Sequence, residues 1–192
     1  MSRLSPLAPI TVLTYASGSR VDGLLLDICG HLVSEGLALA GMVQIGKTRA
    51  GRSRCDMILE DLGSGEQVEI SEDRGPLARG CMLAVAQLVY ALELATRSLD
   101  ENCDLLVVNK FGKTEAEGGG FRPLIVEALT RNIPVLIAVP ATNLESWRHF
   151  AGGLAAEFPI EDLSGEPQTA CSQLALGVAQ SQYTGSDAPI AG

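Results

Sequence analysis

Leu105-Leu-Val-Val108 is a continuous apolar run with two β-branched residues, preceded by Asp104 and followed by Asn109. A short run with no polar alternation reads as a strand covered on both faces, and such strands belong to parallel sheets sandwiched between helices. The run stops abruptly. Asn109-Lys-Phe-Gly-Lys-Thr-Glu-Ala-Glu117 follows, closed by Gly118-Gly-Gly120, and Pro123–Leu129 then reads as a helix. Open α/β sheets hold their ligands where a buried strand opens into a polar, glycine-rich loop ahead of a helix. The functional site is therefore expected within Asp104–Phe121.

The remaining segments fit the same architecture. Ile10–Tyr15 reads as the first strand, Ala16–Arg20 as a turn, and Val21 as the start of a helix whose Leu24, Leu25, Ile28 and Leu32 share one face. Gly36 ends that helix. Leu37–Ile45 is the second strand, followed by a basic segment with Lys47, Arg49, Arg52 and Arg54. Cys55–Leu62 and Gln67–Ser71 alternate apolar and polar residues around Gly63-Ser-Gly-Glu66, which predicts a β-hairpin. Met82–Leu99 reads as a long helix with Leu83, Ala86, Val89, Tyr90 and Leu94 inward. Ile133–Val139 is another buried strand, and Thr142-Asn-Leu-Glu145 has the form of a capping box opening a helix through Phe150. From Gly165 the chain turns rich in Ser, Gln, Gly and Ala. The expected domain is therefore 1–165, with 166–192 a low-complexity, flexible tail in which Leu174–Val178 is the one helical turn considered. The order β-α-β-(β-hairpin)-α-β-α-β-α predicts a three-layer α/β fold, with a mostly parallel sheet and the hairpin as an antiparallel edge or flap.

Composition bounds the function. At 192 residues, with 46% hydrophobic and 19% charged residues, the chain suits one domain with a full core. A net charge of −9 argues against a general binder of nucleic acid or anionic membrane, while leaving room for a local basic pocket. No apolar run is long enough for membrane insertion. Cys29, Cys55, Cys81, Cys103 and Cys171 form no Cys-x-x-Cys pair, so neither a metal site nor a redox motif is signalled. They read as small buried hydrophobes, and an odd number without a signal peptide fits a reducing, cytoplasmic location. His31 has no second ligand spaced to join it.

Gly41-Met-Val-Gln-Ile-Gly-Lys-Thr48 satisfies the phosphate-loop pattern G-x-x-x-x-G-K-[ST]. That chemistry needs a strand, then the loop, then a helix whose N-terminus faces the anion. Here the middle residues Met-Val-Gln-Ile read as strand, and Arg49–Arg54 starts no periodic helix, so the match is expected to be strand and flap. The right context lies after Tyr15, at Ala16-Ser-Gly-Ser-Arg-Val-Asp-Gly23, where Val21 and Asp22 occupy the positions of the lysine and hydroxyl. Asp22 suits the helix dipole unaided and would repel a phosphate. A plain turn capped by Ser19 or Asp22 and a weakened anion site are both compatible with these residues.

On these segments, residues 8–163 resemble the small nucleoside-triphosphatases first described from thermophiles, a P-loop family. The resemblance is closer to an uncharacterised bacterial offshoot of that family, sometimes associated with molybdenum transport genes. Ile10–Ile28 matches the phosphate-loop unit. Gly41–Gln44 and the Cys55–Ser71 hairpin match strands inserted after the first helix. Asp104–Glu115 matches the magnesium-site strand, which in the family ends Asp-Glu-x-Gly-Lys-x-Glu and here reads Asn109-Lys110-Phe111-Gly112-Lys113-Thr114-Glu115. The resemblance implies a P-loop-NTPase-like sheet. The departures at Val21, Asp22, Asn109 and Lys110 remove the phosphate-loop lysine and the acidic pair that magnesium prefers.

Three functions fit. The first is a nucleotide- or oxyanion-binding protein with little or no hydrolysis, linked through the resemblance to molybdenum metabolism. Its ligand would be ATP, GTP or a molybdate-like oxyanion, held by Ser17, Gly18, Ser19, Arg20, Asn109, Lys110, Gly112, Lys113, Glu115 and Arg122. The second is an active nucleoside-triphosphatase or kinase using Lys113 or Lys47, with Glu115 or Glu117 orienting water. The third is a regulatory or assembly partner without a small ligand. The partners expected are a small anion and a second copy of the chain, not nucleic acid.

Overall fold

The computed structural model describes Leu4 and residues 6–16, 20–48, 55–72, 82–100 and 103–176, with backbone alone at 47–48, 55–56, 71–72 and 82–83. In chain order the elements are β1 Ile10–Tyr15, α1 Val21–Ser34, β2 Leu39–Thr48, β3 Cys55–Asp61, β4 Gln67–Glu69, β5 Ser71–Glu72, β6 Met82–Leu83, α2 Val85–Asp100, β7 Leu105–Val108, α3 Lys113–Ala116, α4 Arg122–Thr130, β8 Val135–Pro140, α5 Leu144–Ala151, β9 Ala155–Pro159 and α6 Pro167–Gln173. Short 3-10 turns precede α5 and follow β9.

β7 has the central position its composition predicts. The seven-stranded sheet runs β4-β3-β2-β7-β8-β1-β9. β2, β7, β8, β1 and β9 are parallel, and β2-β3-β4 is an antiparallel meander that closes one side. Successive residues of β7 point to opposite faces, as the strand period requires. Leu106 and Val108 enter a core with Ala91, Leu94, Ala95, Ile125 and Trp147 from α2, α4 and α5. Leu105 and Val107 enter a second core with Leu25, Ile28 and Leu32 of α1. Helices thus cover both faces, and four consecutive apolar residues are needed in β7 because neither face meets water.

Several elements depart from the sequence expectation. β2 continues to Thr48, three residues beyond Ile45, because β3 pairs with its whole second half from Met42↔Asp61 to Thr48↔Cys55. α2 begins at Val85, not Met82, and turns Ala91, Leu94, Ala95 and Leu99 inward. Ala86, Val89 and Tyr90, expected inside, lie on its exposed side. The buried stripe keeps the expected Leu94 and adds Ala91, Ala95 and Leu99, the two alanines letting the helix lie close to the sheet. The Thr142–Glu145 capping box does not form. Asn143 is the cap of α5 without a side-chain bond to the helix, and its Nδ2 donates instead to the Phe111 carbonyl at 2.8 Å.

β9 is an edge strand that the sequence did not signal; its Ala-Ala-Glu-Phe-Pro has one large apolar residue. The fold also passes the expected boundary at 165. α6 packs on α1, and Ala170, Cys171, Leu174 and Leu176 are buried in the α1-side core. Residues 177–192, the rest of the expected tail, lie outside the described residues.

Candidate functional site

β7 ends at Val108, and the next residue, Asn109, stays buried. A buried amide needs partners for both its ends. Asn109 Oδ1 accepts the Gln44 backbone N–H at 2.8 Å, and its Nδ2 reaches Asp22 Oδ1 at 3.4 Å. One side chain therefore ties the end of the central strand to the middle of β2 and to the first turn of α1. Lys110 Nζ donates to Gln44 Oε1 at 3.0 Å, so an ammonium is held beside that amide. Gln44 emerges as a site residue that sequence reasoning passed over. Its signal was a lone polar side chain in the apolar Met42–Ile45 run.

The chain then dips into the core. Phe111 is fully buried, its N–H bonds the Ala138 carbonyl at 2.8 Å, and its ring meets Trp147 edge-on at 5.2 Å and stacks on Phe150 at 5.8 Å. This anchor makes the following loop start from a fixed point. The loop is organised around Glu115, a residue only 5% exposed. Its Oε2 accepts the Gly112 N–H at 2.9 Å and its Oε1 the Phe121 N–H at 3.0 Å. Charge-assisted bonds to two amides stabilise a carboxylate out of water. Glu115 was expected to touch ligand or orient water; its two bonds join the ends of the Gly112–Phe121 loop, and it also lines the cleft beside that loop.

Of the remaining expected residues, Lys113 and Arg122 lie at the two ends of this loop. Lys113 is exposed at the start of α3 and pairs with Glu117 at 3.6 Å. Arg122 was expected to add charge with the lysines. Its guanidinium lies over the Phe150 ring, 4.3 Å from the centroid, so a cation–π contact holds it at the aromatic cluster. Arg20 is the exposed N-terminal cap residue of α1, with no side-chain bond to the helix. Ser17, Gly18 and Ser19 lie outside the described residues. Of the two sides of the expected crevice, between residues 17–20 and 109–115, the contacts above involve Asn109 and Lys110, which meet Asp22 of α1 and Gln44 of β2.

Gly41–Thr48 lies wholly within β2. Lys47 and Thr48 continue the strand and pair with β3, so the backbone amides of this segment serve the ladder. Its first glycine has a structural reason: Gly41 has φ +104°, and a Cβ there would overlap the Val107 carbonyl across the β2–β7 pair. At the strand-turn-helix after Tyr15, Val21, expected at the position of the lysine, is buried in the α1-side core.

A cleft of about 280 Å³ opens beside the loop on the α2 face of the sheet. Met42, Leu59, Ile70, Leu88, Val108 and Phe121 form its floor, and Asn109, Lys110, Gly112, Lys113, Thr114 and Glu115 its rim. Among the described residues, no three His, Cys, Asp or Glu side chains are grouped to hold a metal ion. No described helix is long and apolar enough to cross a membrane.

Comparison with known proteins bears on this geometry. The family model described as "Protein of unknown function (DUF2478)" matches residues 10–165. The molybdenum import ATP-binding protein ModC 2 of Bradyrhizobium diazoefficiens is 33% identical over 152 residues, which is 79% of this chain and 17% of that protein. The chain thus spans less than a fifth of the length of that relative. The solution structure of a human cancer-related nucleoside triphosphatase aligns with a TM-score of 0.59 and 17% identity, covering 90% of this chain and 97% of that one. At that identity the likeness is one of fold: the sheet described above is P-loop-NTPase-like.

Proposed function

The chain belongs to the DUF2478 family of proteins of unknown function, and from that premise we propose that it binds a nucleotide or small oxyanion with little or no hydrolysis. The observation that carries this reading is Lys110 at the end of the central strand, its ammonium 3.0 Å from Gln44 Oε1, on the residue that follows the buried Asn109. A magnesium-dependent hydrolase needs carboxylate or hydroxyl oxygens there. An amide already bonded on both ends, with an ammonium on the residue that follows, offers an anion a fixed positive charge and offers a divalent cation little. In this reading Lys110 neutralises ligand charge that a metal would otherwise neutralise, and Lys113 adds a second cation from α3.

Phosphoryl transfer depends chiefly on electrostatic stabilisation by a phosphate-loop lysine and a metal. Val21 stands buried where that lysine would be, which supports binding without turnover. The link to molybdenum metabolism rests on the printed name of the Bradyrhizobium relative, and it makes molybdate a ligand to test beside ATP and GTP.

Calorimetry on the full chain tests the reading with ATP, GTP and molybdate, each with and without magnesium. At least one should bind, and magnesium should leave its affinity unchanged. Lys110→Ala and Lys113→Ala should weaken binding. Glu117→Gln should leave it equal or about two- to fivefold tighter, the range set by releasing one exposed ion pair. Hydrolysis of ATP or GTP should stay below ~1 s⁻¹, the low end of ordinary phosphoryl-transfer rates. Binding that Lys110→Ala and Lys113→Ala leave intact, or faster turnover that a site variant abolishes, would overturn it.

A further inference from the structure

The apolar floor of the α2-face cleft has no role in binding a phosphate or molybdate. Such ions are hydrated over their whole surface and gain nothing from Met42, Leu59, Leu88 or Phe121. Yet the floor lies directly under the loop that carries Lys110 and Lys113. We propose that this cleft takes the single-ring apolar body of a small organic anion, whose acidic head sits at Lys110.

Three observations argue for it. The volume, about 280 Å³, lies just under the range of ordinary small-molecule pockets, so one ring with a short substituent fits and a whole nucleoside triphosphate does not. The floor side chains carry no hydrogen-bonding group, and their strand neighbours' backbone groups are used in the β2–β3, β3–β4 and β2–β7 ladders. A nucleobase would bring polar edges to this surface and leave them unpaired, which selects against it. A plain aromatic or branched aliphatic body has no such edges.

At the rim, Gln44 holds the Lys110 ammonium in place, and the Glu115 carboxylate is occupied by the Gly112 and Phe121 amides. The positive charge is therefore the one presented to a ligand. Cleft and loop together match an amphipathic anion, apolar at one end and acidic at the other. The inference rests on the proposed function for the anion-facing role of Lys110, while its apolar half stands on the floor alone.

Phenyl phosphate, inorganic phosphate and benzyl alcohol serve as probes, read by calorimetry and by methyl resonances of the full-length protein. Phenyl phosphate should bind at least about tenfold tighter than inorganic phosphate, a gain that burying roughly two methylene equivalents supplies. It should shift methyl signals of Met42, Leu59 and Leu88, which inorganic phosphate leaves in place. Lys110→Ala should weaken phenyl phosphate several-fold and leave benzyl alcohol unchanged. Leu88→Trp, placed on the half-buried lining of the cleft, should reduce phenyl phosphate to the level of inorganic phosphate. Equal affinity for the two phosphates, or unmoved floor methyls, would overturn the inference even where ATP, GTP or molybdate binds. If phenyl phosphate binds through the floor while those three do not bind, the inference stands and the proposed function falls.

Discussion

Glu115 ties the two ends of its own loop together. Beside two lysines it resembles a catalytic or ligand-binding acid, but both its oxygens accept backbone N–H groups at the two ends of its loop. Gly120 completes the arrangement: it has φ +59°, and a Cβ there would overlap the Glu115 carboxylate. Glu115→Gln turns one of the two acceptors into a donor facing an N–H. It should destabilise the protein by ~1–3 kcal/mol, the usual cost of an unsatisfied buried group. Gly120→Ala should also destabilise, through both the positive φ and the overlap. The double variant should lose less than the sum, because both changes break the same contact. Urea unfolding measures all three, and strict additivity would show that the carboxylate and the glycine act separately.

Cys29 supplies a second test at this scale. Burial pushes its thiol from the usual 9.0 up to about 12, with Cys171 nearby adding to the effect. Well below pH 9 the thiol is almost wholly neutral in both folded and unfolded chains and has little influence on stability. As pH rises from 9 towards 12, only the unfolded chain releases the proton. Stability should then fall by up to ~1.4 kcal/mol per pH unit from this group. Cys29→Ser or Cys29→Ala should flatten that part of the pH profile. At pH 8 a soluble aromatic disulfide should label Cys29 far more slowly in the native protein than in urea, since the thiolate is the reactive form.

Among the elements, β2 has the most misleading sequence. Its Gly41 and Lys47 satisfy a phosphate-loop pattern, yet the segment is one strand paired to β7 on one side and β3 on the other. Lys47→Ala should leave ligand affinity nearly unchanged, whereas Gly41→Ala should destabilise the fold by forcing β2 away from the Val107 carbonyl. Affinity and thermal stability measured on the two variants separate the roles. A loss of binding in Lys47→Ala at unchanged stability would restore the motif as a site.

For the whole molecule, the limit of the domain is the quantity to test. Removing everything after residue 165 deletes Ala170, Cys171, Leu174 and Leu176 from the α1-side core. Each large side chain withdrawn from water contributes ~1.5–3 kcal/mol, comparable in sum to much of a domain's net stability. The truncated chain should therefore melt well below the parent or fail to fold. A melting temperature within a degree or two of the parent would show that α6 is dispensable.

The sequence by itself determined the class of fold and the location of the central strand. Continuous apolar runs such as Leu105–Val108 and alternating ones such as Cys55–Leu62 encode burial on two faces or one, and that pattern is local. It also pointed to strand across Gly41–Thr48, as β2 shows. Tertiary structure decided what pattern alone leaves open. β9 is a strand because β1 offers an edge beside it, and α6 is ordered because α1 offers an apolar face; both depend on partners more than 100 residues away in the chain. The same holds at the site. The Lys110 partner is Gln44, the Asn109 partners are Gln44 and Asp22, and the apolar floor comes from six separate segments. Hydrogen bonds and clefts join residues by distance in space, and a single sequence records only distance along the chain.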